Sequence, residues 1–157
     1  RVYYDTSGNK LIVKVKHQPA TKDIRKLHIA IDAGHGGTNS GATGLNSKVL
    51  EKDYTLLMAK ELEKQLRKAG NKNIYMTRTT DTTLDMPERI LALREQAPDI
   101  LISIHLNSSS KDSIQGTSTY YRYIGFRPLS QAILRRMLEL KLNEFGNIGH
   151  FKAAKLP

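Results

Sequence analysis

Leu27-His28-Ile29-Ala30-Ile31, followed by Asp32-Ala33-Gly34-His35-Gly36-Gly37, is where the architecture of this chain is decided. The first five residues are apolar enough to be buried and predict a strand over 27–31. The glycines that follow predict a loop over 32–45. Then the period changes. Leu50, Tyr54, Leu57, Met58, Leu62 and Leu66 recur at three- and four-residue steps, which predicts a helix over 50–69. Glu51 and Asp53 fall in its first turn, where negative charge suits the helix dipole, and Gly70 ends it.

The same alternation continues downstream. A strand is expected over 73–78. A second helix is expected from Pro87, a residue suited to a first helical position, with Asp85 close by as a cap. Its apolar face would be Ile90, Leu91, Leu93 and Ala97, and it should stop before Pro98. Residues 99–105 carry the strong strand Ile100-Leu101-Ile102-Ser103-Ile104, and 117–122 another, starting after Gly116. A third helix is expected over 128–145, with Ile133, Met137, Leu140 and Glu144 in line and Gly146 as its stop. Strands alternating with helices predict an α/β fold, its sheet largely parallel and covered by helices on both faces.

Upstream, 1–16 reads as a hairpin. Val2-Tyr3-Tyr4 and Leu11 to Val15 are β-type runs, and Ser7-Gly8-Asn9 supplies the turn. Residues 17–26 are polar, contain Pro19 and read as a linker. The expected organisation is a β-hairpin and linker over 1–26, the end of a preceding region, and one domain over 27–157. The start at Arg1-Val2 reads as that of a mature or trimmed fragment.

Composition narrows the chemistry. The chain has 157 residues and 39% apolar content, enough for one packed core. No run approaches the ~18 apolar residues a membrane span needs, so no stable membrane insertion is expected. No signal-peptide pattern opens the chain. With no cysteine, disulfides and thiolate metal sites are excluded. Any metal must rest on carboxylates and the five histidines, His17, His28, His35, His105 and His150. The formal charge of +10 suits an anionic partner. The basic residues are spread out, however, and no stripe of them interleaves with aromatics, so nucleic acid is not expected. A basic solvated surface, or weak attraction to an anionic polymer, accounts for the charge.

In open α/β sheets ligands bind beyond the carboxyl ends of the strands. His35 follows the first strand, His105 ends the 99–105 strand, and Glu51 starts the first helix, so three elements converge on one rim. Two imidazoles and a carboxylate are a recurrent catalytic zinc set that leaves a fourth position open. Each residue also has an ordinary reading: a histidine after a strand as a surface or core residue, a first-turn glutamate as a cap. His17 lies in the linker, His28 inside a strand, and His150 in a Gly-flanked tail segment that could reach the rim.

Four stretches, Ile31-Asp32-Ala33-Gly34-His35-Gly36-Gly37, Leu50-Glu51-Lys52-Asp53, Thr77-Arg78-Thr79-Thr80-Asp81 with Glu88-Arg89, and Ser103-Ile104-His105-Leu106-Asn107, occur in that order. Together they resemble the zinc-dependent N-acetylmuramoyl-L-alanine amidase family, from residue 27 onward. The resemblance implies a mixed sheet flanked by helices, and zinc as cofactor with His35, Glu51 and His105 as its ligands. It implies hydrolysis of the amide between N-acetylmuramic acid and L-alanine in peptidoglycan, for wall remodelling, daughter-cell separation or recycling. The expected partner is peptidoglycan, the expected place is periplasmic or extracellular, and the expected state is a monomer.

Asn107, two residues past His105, is a candidate substrate-binding residue, with a polar cap as the alternative. Arg78 and Asp81 are expected to form an ion pair holding a turn, and Arg89 to be structural. The family also uses a second glutamate as general base, from a late strand. No carboxylate before Pro157 matches it, so the base is expected beyond that residue and the C-terminal strand to be missing. Loss of such a base lowers turnover by roughly 10²–10⁴-fold. Two other readings stay open: a non-catalytic peptidoglycan-binding module, and a zinc exopeptidase on a similar scaffold. A phosphate-binding domain is disfavoured, because no Gly-Lys-Ser/Thr signature follows the glycines.

Overall fold

The computed structural model describes residues 2–13, 19, 21–109, 111 and 115–149. They fall into two compact units, residues 1–106 and 107–157. His17 and His150, and the general base expected past Pro157, lie outside the described residues.

The first unit opens with the expected hairpin. β1 (Val2–Tyr4) pairs antiparallel with β2 (Leu11–Val13), Val2 opposite Val13. Gly8 takes a left-handed φ of 72° in the turn. The Asp5 carboxylate closes it by accepting from the Asn9 and Lys10 amides at 3.0 and 3.2 Å.

β3 (Ile29–Ala33) is the centre of a three-stranded parallel sheet of order β4-β3-β5. β4 (Ile74–Met76) lies on one side, with Ile29 opposite Ile74. β5 (Ile100–Ile104) lies on the other, with Ile29 opposite Ile100 and Ala33 opposite Ile104. Every residue of β3 is buried. A central parallel strand covered on both faces reads as an unbroken apolar run, which is why 27–31 is legible as a strand. Ile29 and Ile31 are fully buried, and each such side chain contributes about 1.5–3 kcal/mol.

α1 (Glu51–Lys68) packs on this sheet, and of the recurring apolar positions Leu62 and Leu66 reach the core while the three near its start do not. Its buried residues are Glu51, Thr55, Ala59 and Leu66, while Tyr54, Leu57 and Met58 are exposed. The reason is local. Ala59, fully buried, lets the helix backbone approach the sheet closely, and the Thr55 hydroxyl donates to the Gly34 carbonyl at 2.7 Å. A small and a polar residue therefore face the core in the first half of the helix.

α2 (Met86–Gln96) starts as expected. Asp85 accepts from the Glu88 amide and the Glu88 carboxylate accepts from the Asp85 amide, a reciprocal capping box that satisfies two end donors. The helix ends with Ala97 at a left-handed φ of 44°. Its only buried residue among those described is Arg89, not the expected apolar face, and Leu91 is exposed.

In the second unit β6 (Thr117–Tyr121) pairs parallel with β7 (Glu144–Gly149). A short 3-10 turn (Ile124–Phe126) leads into α3 (Arg127–Leu138), which buries Ser130 and Leu134. The helix expected over 128–145 is thus too long by a turn and a strand. Lys141 leaves the helical region at φ 60°, and the chain then pairs with β6, so its backbone groups are satisfied by a sheet. Thr117 faces Glu144 and Ser118 faces Gly146, so Phe145 is an extra residue in the ladder. Gly146, at φ 105°, supplies the left-handed backbone of that bulge and is not a helix stop.

Candidate metal centre

Three side chains meet beyond the carboxyl ends of β3 and β5. His35 follows β3 by two residues, in left-handed backbone at φ 63°. His105 directly follows β5, and Glu51 is the first residue of α1. His35 Nε2 lies 3.2 Å from Glu51 Oε1. His105 Nδ1 lies 3.1 Å from the same oxygen and 3.2 Å from His35 Nε2. The two rings meet edge to face, centroids 4.9 Å apart.

Glu51 is only 4% exposed and is held at both oxygens. The Ala42 amide donates to Oε2 at 2.7 Å, and the Leu106 amide to Oε1 at 2.8 Å. Burial alone pushes its pKa up. The two amides and the neighbouring imidazoles outweigh burial and hold the carboxyl below its ordinary value. The group is therefore an anion at neutral pH.

The backbone around these donors is glycine because nothing larger fits. A Cβ at Gly34 would stand 2.4 Å from His105 Cε1. A Cβ at Gly41, whose φ is +67°, would stand 2.6 Å from both Glu51 Oε2 and His35 Cδ2. The result is a cradle in which two imidazole nitrogens and a carboxylate oxygen lie within 4.8 Å of one another. Three lone-pair donors facing one point are the nitrogen and oxygen chemistry that binds a divalent metal. The donor set fits such an ion.

The sequence profile described as N-acetylmuramoyl-L-alanine amidase matches residues 29–152. This chain belongs to the N-acetylmuramoyl-L-alanine amidase family. It is 35% identical over 96 residues to the N-acetylmuramoyl-L-alanine amidase AmiC of Escherichia coli O6:H1, covering 61% of this chain and 23% of that protein. It is 36% identical over 106 residues to the probable cell wall amidase LytH of Staphylococcus aureus, covering 67% of this chain and 34% of that protein. The chain thus spans about a quarter to a third of the length of these curated relatives. Its fold is similar to that of the N-acetylmuramoyl-L-alanine amidase AmiC2 of Nostoc punctiforme, at a TM-score of 0.73 and 27% identity over 82% of this chain and 72% of that one.

Around the donors of this amidase-family site, two buried arginines fix the backbone of the His35 loop. Arg78 donates to the carbonyls of Ala33 and Gly34, each at 3.0 Å, and of Lys52 at 2.7 Å. It thereby ties the end of β3 to the first turn of α1. Arg89 donates to the carbonyls of Ala33 at 2.8 Å and His35 at 2.9 Å, and pairs with the Asp32 carboxylate. Arg89 is structural, as expected.

The ion pair expected between Arg78 and Asp81 is replaced by another. The Arg78 fork is taken up by carbonyls, and Asp81 pairs with Lys52 Nζ at 2.6 Å. Asp81 also accepts from the Gly37 amide at 2.7 Å, while Lys52 donates to the Gly37 carbonyl at 2.8 Å. Lys52, with Gly37, holds Asp81 below the ordinary carboxylate range. Asn107 lies in the second unit, its Nδ2 3.4 Å from Ser118 Oγ. The described contacts of His28 are made by its backbone: its amide donates to Asp99 Oδ2 at 2.9 Å, and its carbonyl accepts from the amides of Asp99 at 2.9 Å and Ile100 at 3.3 Å.

Sequence reasoning missed Asp32, Lys52 and Asn39. Asp32 had a signal, a carboxylate at the end of an apolar strand, which needs buried donors to be tolerated. Asn39, whose Oδ1 lies 3.0 Å from His35 Nδ1, had none beyond its place in the loop.

Proposed function

We propose that residues 27–157 form a zinc-dependent amidase domain that hydrolyses the amide between N-acetylmuramic acid and L-alanine in peptidoglycan. In this reading His35, Glu51 and His105 are the zinc ligands, residues 1–26 are an extension, and the protein works in the cell envelope, periplasmic or extracellular. The observation that carries the reading is the convergence of three donor atoms within 4.8 Å, in a chain of this family. The names of AmiC and LytH, an N-acetylmuramoyl-L-alanine amidase and a probable cell wall amidase, support the substrate.

Zinc held by these donors would supply Lewis acidity toward the scissile carbonyl and the attacking water. The chain's own groups would hold and orient it. Glu51, ionised and fixed by the Ala42 and Leu106 amides, would compensate the charge of the ion. Arg78 and Arg89 hold the His35 backbone so that the imidazole does not have to be ordered when the ion binds. Asn107, following His105 by two residues, is assigned to hydrogen bonding with substrate.

Zinc per chain and release of stem peptide from purified peptidoglycan test the assignment. The full-length protein should hold one zinc and release stem peptide, and His35→Ala and His105→Ala should lose both together. Full zinc occupancy in His105→Ala would sink the ligand assignment. Stoichiometric zinc without peptide release would leave a wall-binding module, and cleavage of plain peptides in preference to muropeptides would leave an exopeptidase.

A further inference from the structure

His35 is engaged at both ring nitrogens. Nε2 faces Glu51 and His105, and Nδ1 lies 3.0 Å from Oδ1 of Asn39. A second bond fixes which end of the Asn39 amide points inward. The same Oδ1 accepts from the Gly41 amide at 3.1 Å, and a backbone N–H can face only an acceptor. The atom near His35 is therefore the oxygen. Both ring nitrogens thus face an oxygen, Asn39 Oδ1 at 3.0 Å from Nδ1 and Glu51 Oε1 at 3.2 Å from Nε2, but a neutral imidazole carries only one N–H, and the shorter contact takes it. Nε2 is left with its lone pair.

We propose that Asn39 is a positioning residue that locks His35 in the Nδ1–H tautomer and so presents the Nε2 lone pair to the metal ion. The proposal rests on the metal-binding reading above. The backbone prepares the lock. Gly36 and Asn39 exchange two hydrogen bonds, at 2.9 and 3.0 Å, which fold residue 39 back to the ring of residue 35. His35 at φ 63° and Gly36 at φ 135° make the turn that allows it. The side chain of Asn39 is thus placed by the loop that carries its target.

The acceptor is a neutral amide. Histidines bound to metals commonly donate their other N–H to a carboxylate or a carbonyl, which orients the ring and raises its basicity. An amide oxygen supplies the orientation with less gain in basicity. Changing Asn39 to Asp should keep the tautomer and strengthen the donor. Changing it to Ala should release the ring to both tautomers.

The test reads two signals. The first is the His35 tautomer in the metal-free protein, from long-range nitrogen–proton NMR correlations at a pH above the imidazole range. The second is zinc affinity by competition with a chelator. Expected are an Nδ1–H ring in the unaltered protein, and mixed tautomers with zinc binding weaker by about 10–100-fold in Asn39→Ala. Asn39→Asp should show an Nδ1–H ring and bind zinc at least as tightly as the unaltered protein. Asn39→Ser, too short to reach Nδ1, serves the same comparison if the alanine variant unfolds. An Nε2–H ring in the unaltered protein overturns the proposal, as does unchanged zinc affinity in the folded Ala or Ser variant. A protein with the Nδ1–H ring that takes up no zinc overturns the metal reading instead, so the two failures are distinct.

Discussion

A methyl group at position 34 would stand 2.4 Å from His105 Cε1, 2.6 Å from Nδ1 and 2.8 Å from Nε2. The whole imidazole would have to move, and with it the nitrogen facing Glu51. Gly34 is not in left-handed backbone, so alanine there strains no φ. Gly34→Ala is therefore expected to lose most of its bound zinc with its far-UV circular dichroism unchanged. Full zinc content in this variant would show that the ring has room the distances deny. The steric need at Gly34 is invisible in sequence, because a glycine after a strand reads equally well as a turn residue. His35, His105 and Glu51 were legible for a different reason. Each sits at the end of an element, and element ends can be placed from periodicity. Asn39 and Lys52 act through loop contacts, and no periodicity encodes where a loop folds back.

At the scale of elements, α2 is bound to the sheet by charge. Asp32, at the end of β3, accepts from Ser103 Oγ at 2.6 Å and Thr77 Oγ1 at 2.8 Å, and pairs with Arg89. Burial would raise the Asp32 pKa, but the Ser103 bond, the Arg89 charge and the Thr77 bond together lower it. A folded pKa below the unfolded value of about 3.9 means the pair stabilises the fold above that pH, and its contribution is lost as pH falls through the folded value. Arg89→Met leaves a buried carboxylate without its cation and should cost about 3–5 kcal/mol in urea unfolding at neutral pH. Part of that loss should return when Asp32→Asn is added. A single variant as stable as the parent would show that the pair does not hold the helix. The start of α2 was legible because Asp85, Pro87 and Glu88 act locally. Its buried face was not, because an arginine on a weakly apolar helix gives no sign of a partner 57 residues away. The same limit explains α3. Its line of Ile133, Met137 and Leu140 continues smoothly in sequence, while the pairing that turns residues 144–149 into β7 comes from β6.

For the molecule as a whole, charge and architecture were readable at different depths. The α/β class followed from the alternation of periods, and the parallel order around β3 from its unbroken apolar run. The division into units at residues 106 and 107 had no compositional mark. The net charge of +10 is a whole-molecule property and acts at range. Binding to an anionic wall should therefore weaken as salt shortens the Debye length from about 10 Å at 0.1 M to about 3 Å at 1 M. Sedimentation with purified wall across that range checks this, and salt-independent binding would assign the attachment to short-range contacts. A last consequence follows from where the donors are encoded. His35, Glu51 and His105, the residues that brace them and the Leu106 amide all precede Asn107. Every donor and brace of the proposed metal site is therefore contained in one contiguous unit. In the proposed reading, an ion held there would add its binding free energy to the folding of that unit.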